Sequence, residues 1–147
     1  MPIYHERLWP GFWLFIATLL IVPATILVLA PISMLAGIIA AITLYCLTVG
    51  ILVFSSPTIA ITDGTLTAGR ASIPVKLLGN VTEFQGDEAV QERGPRLDAR
   101  AHLMIRGWIS PIIKVSVTDA NDPTPYWIIS TRNPTGFANA LREAISA

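Results

Sequence analysis

From Leu8 to Thr62 the chain carries no Asp, Glu, Lys or Arg. In a protein of 147 residues too little chain is left over to cover so long an apolar stretch from water. A bilayer's hydrocarbon core takes about 20 apolar residues per helical crossing, so the stretch suffices for two crossings and a turn. The turn falls at Ala30-Pro31-Ile32-Ser33, where Pro31 lacks the N–H that would continue a helix and biases its predecessor away from helical geometry. The sequence therefore predicts transmembrane helices over residues 12–30 and 32–54, an interfacial segment over 1–11, and one soluble domain over 58–147.

Ten basic and ten acidic residues balance, and without a basic excess no nucleic-acid partner is expected. Cys46 lies inside the second span, where it packs as a small apolar side chain and makes no intrachain disulfide. A cleaved signal peptide fits poorly, since Glu6 offsets Arg7 and the apolar run is longer than a signal's core and is followed by a second span. The connecting turn is uncharged, whereas Arg7 precedes the first helix and Arg70 and Lys76 follow the second. That bias predicts a two-span inner-membrane protein with both termini and the soluble domain cytoplasmic.

Tyr4, Trp9, Phe12 and Trp13 crowd the start of the first helix, and Trp9 and Trp13 are expected to contact the membrane at headgroup level. Pro23 should kink that helix. In the second helix Ala36 with Ala40 and Gly37 with Ala41 set small residues four apart, a pattern that lets helix backbones approach closely. Packing within the hairpin and homodimerisation through the same face are the two readings. Neither span contains an ionisable Asp, Glu, Lys, Arg or His, which argues against a transporter or channel acting alone.

After Ser55-Ser56-Pro57, alternation predicts strands over Thr58 to Thr62 and Thr65 to Arg70, joined by an Asp63-Gly64 hairpin turn. Further strands are expected over Ser72 to Leu77, with Pro74 marking an edge, and over Val81 to Phe84. Gly86 to Leu97 reads as an exposed loop. Ala101 to Arg106, Ile113 to Thr118 and Tyr126 to Thr131 alternate again as strands, and Asn133-Pro134 opens a helix with Phe137, Leu141 and Ile145 on one face. The expected fold is an α-helical transmembrane hairpin plus a small α+β domain, an antiparallel pleckstrin-homology-like partial barrel closed by a C-terminal helix. That step is analogy from element order, and fold alone does not give function.

Glu6-Arg7-Leu8-Trp9-Pro10, Ser55-Ser56-Pro57, Thr62-Asp63-Gly64, Arg93-Gly94-Pro95, Leu97-Asp98-Ala99-Arg100-Ala101, Arg106-Gly107-Trp108, Asp122-Pro123-Thr124-Pro125-Tyr126-Trp127 and Ser130-Thr131-Arg132 form a set of separate motifs. Together they resemble an actinobacterial membrane-protein family designated domain of unknown function 3093. The resemblance spans essentially the whole chain and implies an inner-membrane protein of one hairpin and one domain. It implies no activity, because the family has none established.

No nucleophile elbow, glycine-rich phosphate loop or metal-spaced Cys/His pair occurs, and His5 and His102 are the only histidines. The chain is therefore expected to be non-catalytic and to need no cofactor or metal. Arg93, Arg96 and Arg100 form the richest basic stretch, suited to a lipid headgroup or an acidic partner. The alternative is that Asp98 pairs with Arg96 or Arg100 to pin the loop, with Glu88 and Glu92 blunting the field. Trp108, Ile109 and Ile112 form an apolar stretch between Arg106 and Lys114, expected either to touch the membrane or to cover the barrel rim. The function these features imply is a membrane-anchored adaptor or binding module, with the bilayer, anionic lipid and an unidentified protein as partners. The rivals are an accessory subunit of a larger membrane complex and an enzyme.

Overall fold

The apolar stretch folds as two helical arms. The first is broken into α1 (Phe12–Leu19) and α2 (Ile21–Leu29). The break at Leu20 lies where Pro23 acts: it has no N–H to give the Leu19 carbonyl, and its ring crowds that carbonyl. The Leu20 N–H turns back to Ala17 at 3.3 Å instead. The second arm, α3, runs Met34–Phe54. It starts two residues later than predicted because Ser33 serves as its N-cap, its hydroxyl accepting from the Ala36 N–H at 3.3 Å. At the other end the Ser55 and Ser56 hydroxyls both donate to the Leu52 carbonyl, at 3.2 and 2.9 Å.

Polar groups along these helices are satisfied locally. Thr18, Thr25, Thr43 and Thr48 each donate a hydroxyl to a carbonyl one turn back, at 2.7 to 2.8 Å. Both arms are long and apolar enough to cross a membrane. Neither is the core helix of a soluble unit: α1 and α2 bury no residue and α3 buries only Gly37 and Ala41.

The computed structural model describes residues 2–147. Its two units are the hairpin, Trp9–Ser56, and a small α+β unit made of residues 2–8 with Pro57–Ala147. The predicted interfacial segment is thus corrected in part. Its first half is strand β1 (Tyr4–Arg7), paired antiparallel with β2 (Thr58–Thr62) in the register Tyr4↔Ile61 to Arg7↔Thr58.

Strands β3 (Thr65–Ala68) and β4 (Ala71–Pro74) complete a sheet in the order β1-β2-β3-β4. Asp63 and Gly64 both take positive φ, 49° and 71°, in the expected two-residue turn. Pro74 ends the edge strand β4, and a 3₁₀ turn over Val75–Leu77 leads into the second sheet. That sheet contains β5 (Leu78–Phe84), β6 (His102–Met104), β7 (Ile112–Val117) and β8 (Tyr126–Ser130) in the order β5-β7-β8-β6. All its pairs are antiparallel except β6 with β8. The strands form two sheets and no closed barrel.

Between β5 and β6 lies helix α4 (Gly86–Arg93), where an exposed loop was expected. Asp87 and Glu88 occupy its first turn and Arg93 its last, matching the helix dipole, so a segment with little apolar periodicity is still helical. Its buried Ala89 packs with Ile112 and Ile128.

Helix α5 (Pro134–Ser146) starts as predicted, Asn133 accepting from the Gly136 N–H at 3.0 Å. Its Phe137, Ala138 and Leu141 join one core with Leu8, Ile59, Ile61 and Leu66 from the first sheet and its entry, and Val81, Ile113, Val115, Trp127 and Ile129 from the second. Phe137 is wholly buried. Phe137→Ala should therefore lower unfolding free energy by about 3–5 kcal/mol, seen as a lower denaturant midpoint of the full chain in detergent. Gln91→Ala, on the exposed side of α4, should change it by less than about 0.5 kcal/mol. Similar midpoints for both variants would refute this core.

Candidate functional site

Strand β1 alternates Tyr4 and Glu6 inward with His5 and Arg7 outward. The inward pair makes the densest polar cluster that joins distant parts of the chain. Glu6 Oε2 accepts from the Tyr4 hydroxyl at 2.8 Å and from Thr131 Oγ1 at 2.5 Å, while Oε1 accepts from the Arg132 N–H at 2.8 Å. Thr131 Oγ1 also accepts from the Asn133 N–H at 3.1 Å, and Asn133 is the cap of α5. The Tyr4 ring stacks on Phe137 with centroids 5.0 Å apart. One carboxylate thus fastens the first strand of the chain to the junction of β8 and α5, with bonds to a charged acceptor that are individually stronger than neutral ones.

Burial, and then the hydrogen bond to the Glu6 carboxylate, push the Tyr4 phenol up to about 12. Both favour the neutral hydroxyl. Because the folded value lies above the unfolded one of about 10, the stability this linkage supplies is present below pH 10 and is lost as pH rises toward 12.

The predicted arginine stretch is distributed over helix and loop. Arg93 ends α4, its Nε donating to the Ala89 carbonyl at 3.2 Å and a terminal nitrogen to the Ile109 carbonyl at 3.4 Å. Arg96 lies 3.5 Å from the Glu92 carboxylate. Arg100 pairs with Asp98 through two bonds of 3.2 and 2.9 Å. The side-chain bond from Arg100, reinforced by its backbone N–H, holds the Asp98 carboxyl down at about 2. The chain therefore uses Asp98 and Glu92 to match this stretch locally, as one of the two sequence readings had it. Buried Glu92 also takes Lys114 at 3.1 Å, and Lys114 sits 4.2 Å over the Tyr126 ring, which ties α4 to the second sheet.

The segment from Trp108 to Ile112 needs a correction. Ile109 and Ile112 are 2% and 0% exposed, so they are spent on the protein core and are not available to touch a membrane. Trp108 is half-buried and packs against the main core, as the rim-covering alternative supposed. Composition alone does not tell an apolar loop tip from a loop that turns back into a core. Trp9 and Trp13, also expected at the membrane, are 44% and 78% exposed.

In the hairpin, Gly37 and Ala41 are buried while Ala36 is exposed. A Cβ on Gly37 would lie 3.5 Å from the Ile26 Cα and 3.6 Å from the Leu29 Cβ, so this face is occupied by the hairpin's own first arm. Ala40 is half-buried. The hairpin's own first arm packs on the Gly37–Ala41 pair, as the within-hairpin reading had it.

The Glu6 cluster was missed in the sequence, although its signal is there: Tyr4, Glu6 and Leu8 alternate against His5 and Arg7 over the five residues before the apolar run. Among the described residues no group of three or more His, Cys, Asp or Glu side chains is arranged to hold a metal ion. A family model described as Protein of unknown function (DUF3093) matches residues 3–141. No curated protein and no solved structure matches the chain.

Two variants test the cluster. Glu6→Ala strands three donors and should cost about 2 kcal/mol in unfolding free energy, given the partial exposure of the site. Tyr4→Phe should flatten the decline in stability between pH 10 and 12. An unchanged alkaline slope in Tyr4→Phe would mean that another group carries it.

Proposed function

The chain belongs to the DUF3093 family of proteins of unknown function, and from that premise we propose that it is a non-catalytic membrane-anchored module. In this reading the hairpin crosses the inner membrane, both termini are cytoplasmic, and the soluble unit works as an adaptor at the membrane face. The observation that carries it is the pairing of β1 with β2 across the hairpin.

Strands that flank the hairpin are hydrogen-bonded to each other, which supports entry into and exit from the bilayer on one side. Cleavage of the first helix as a signal would remove β1, and with it Glu6 and Tyr4, from the folded unit. The apolar helix surfaces left open, including Phe12, Leu27, Ile32 and Phe54, call for a hydrocarbon solvent. The internally bonded threonine hydroxyls suit the same solvent. Spans without ionisable groups suit an anchor better than a conduit. Two four-stranded sheets with a C-terminal helix in their shared core support the pleckstrin-homology-like arrangement.

Single cysteines in a Cys46→Ser background test the topology. At Ile32, in the turn, a membrane-impermeant maleimide should label intact spheroplasts; at Ser146 it should label only after permeabilisation. The protein should also stay with the membrane through alkaline carbonate extraction. Labelling of Ser146→Cys from outside would reverse the orientation, and release by carbonate would remove the anchor.

A further inference from the structure

A polar side chain inside a bilayer must find its hydrogen bond within protein, because hydrocarbon offers none. The threonines of the hairpin do so in their own helices: the Thr18, Thr25, Thr43 and Thr48 hydroxyls each reach a carbonyl one turn back. Tyr45 cannot. Its ring carries the hydroxyl away from the backbone, and among the described residues the phenol has neither acceptor nor donor. The side chain is half-buried, so the hairpin does not enclose it either.

Reaching water is no alternative. Helix α3 runs Met34–Phe54, and Tyr45 stands near its middle, with about 14 Å of helix or more on either side at 1.5 Å per residue. A tyrosine side chain is shorter than that, so the hydroxyl stays in the hydrocarbon. Trp9 and Trp13, at the start of the first arm, follow the usual placement of amphipathic rings at the interface; Tyr45 departs from it.

The position on the helix tells where a partner sits. To one side of Tyr45, Gly37 and Ala41 are buried, Gly37 against Ile26 and Leu29 of the first arm. To the other side, Ile38 and Ile42 are exposed and Val49 is half-buried. Ile38, Ile42, Tyr45, Val49 and Leu52 follow one another in steps of four and three residues, the spacing that keeps one stripe of a helix against a partner helix in a left-handed pair. Exposed Leu47 lies on the opposite side of the helix.

This stripe is apolar except for one hydroxyl at mid-depth. Its complement is another apolar stripe with a hydrogen-bonding group at the same depth. Copies of the chain share one orientation in the membrane, so a two-fold axis along the bilayer normal sets identical residues at identical depth. The group that meets Tyr45 is then the second copy's Tyr45. A phenol both donates and accepts, so two of them close a hydrogen bond with no further residue.

We infer that two copies of the chain pair in the bilayer through this stripe of α3, joined at its centre by a hydrogen bond between their Tyr45 hydroxyls. The inference rests on the membrane-anchored reading. It uses a different stripe from Gly37–Ala41, on which the first arm packs. Hydrogen bonds between helices in membranes are modest, so the apolar side chains supply most of the affinity. The hydroxyls fix the register, as a single polar residue does in the seam of a coiled coil.

The full chain reconstituted in liposomes tests it. In a Cys46→Ser background, copies with Ser146→Cys are labelled with a donor or an acceptor fluorophore, and energy transfer is followed as the lipid-to-protein ratio rises. Transfer should exceed the level for random mixing and fall as lipid dilutes the protein. Tyr45→Phe, which removes only the oxygen, should lower the association constant about three-fold. Oxidation of single cysteines in the same background reads the stripe separately: Ile42→Cys and Val49→Cys should form disulfide-linked dimers several-fold more readily than Leu47→Cys.

Transfer no greater than random mixing would overturn the pairing and leave the phenol to a helix of another protein. Unchanged association in Tyr45→Phe would overturn the bond between hydroxyls, and preferred crosslinking at position 47 would overturn the stripe. A chain that does not enter liposomes, or that carbonate releases from them, would remove the membrane-anchored reading and the pairing with it.

Discussion

The pairing of β1 with β2 governs the rest of the structure. These adjacent strands are separated in sequence by the whole hairpin, from Leu8 to Pro57, where most antiparallel neighbours are separated by a short turn. A flexible connection of that length would cost roughly 3 kcal/mol more in closure entropy than a two-residue turn. A folded helical hairpin, whose two ends already lie on one side, avoids most of that cost. The hairpin therefore acts as a very long turn within a sheet, and the sheet in turn fixes where both of its ends emerge.

Glu6 makes the arrangement specific. A four-residue edge strand is a weak element by itself, and in β1 only Tyr4 and Glu6 face inward. The carboxylate draws donors from Tyr4, Thr131 and Arg132, and the Tyr4 ring covers Phe137. The N-terminal strand is thereby coupled to the last helix, and the first and last elements of the chain stabilise one another.

Much of this was legible in the sequence where local chemistry is decisive. The charge-free run, Pro23, Asp63-Gly64 and Asn133-Pro134 each act through backbone geometry, and each appears in the structure close to where it was expected. What stayed hidden depends on distant partners. Strand β1 has no sequence neighbour to pair with and abuts an apolar run that masks its alternation. Helix α4 is held by its terminal charges, by buried Ala89 and by the Glu92–Lys114 pair, a signal that apolar periodicity does not register. Ile109 and Ile112 look the same in sequence whether they face lipid or core, and only the closing of the second sheet decides between them.

The central claim is that residues before the first span are a strand of the domain that follows the second. Hydrogen bonding between the directly opposed Leu8 and Pro57 makes His5↔Ala60 a non-hydrogen-bonded pair, with Cα atoms about 4.5 Å apart and within disulfide range. In the full chain with Cys46→Ser, His5→Cys with Ala60→Cys should form an intramolecular disulfide on mild oxidation in the membrane. It should do so with an efficiency comparable to Ala60→Cys with Thr67→Cys across the short β2–β3 hairpin. Ready crosslinking of the control pair with none between positions 5 and 60 would contradict the account, because β1 would then not belong to the sheet.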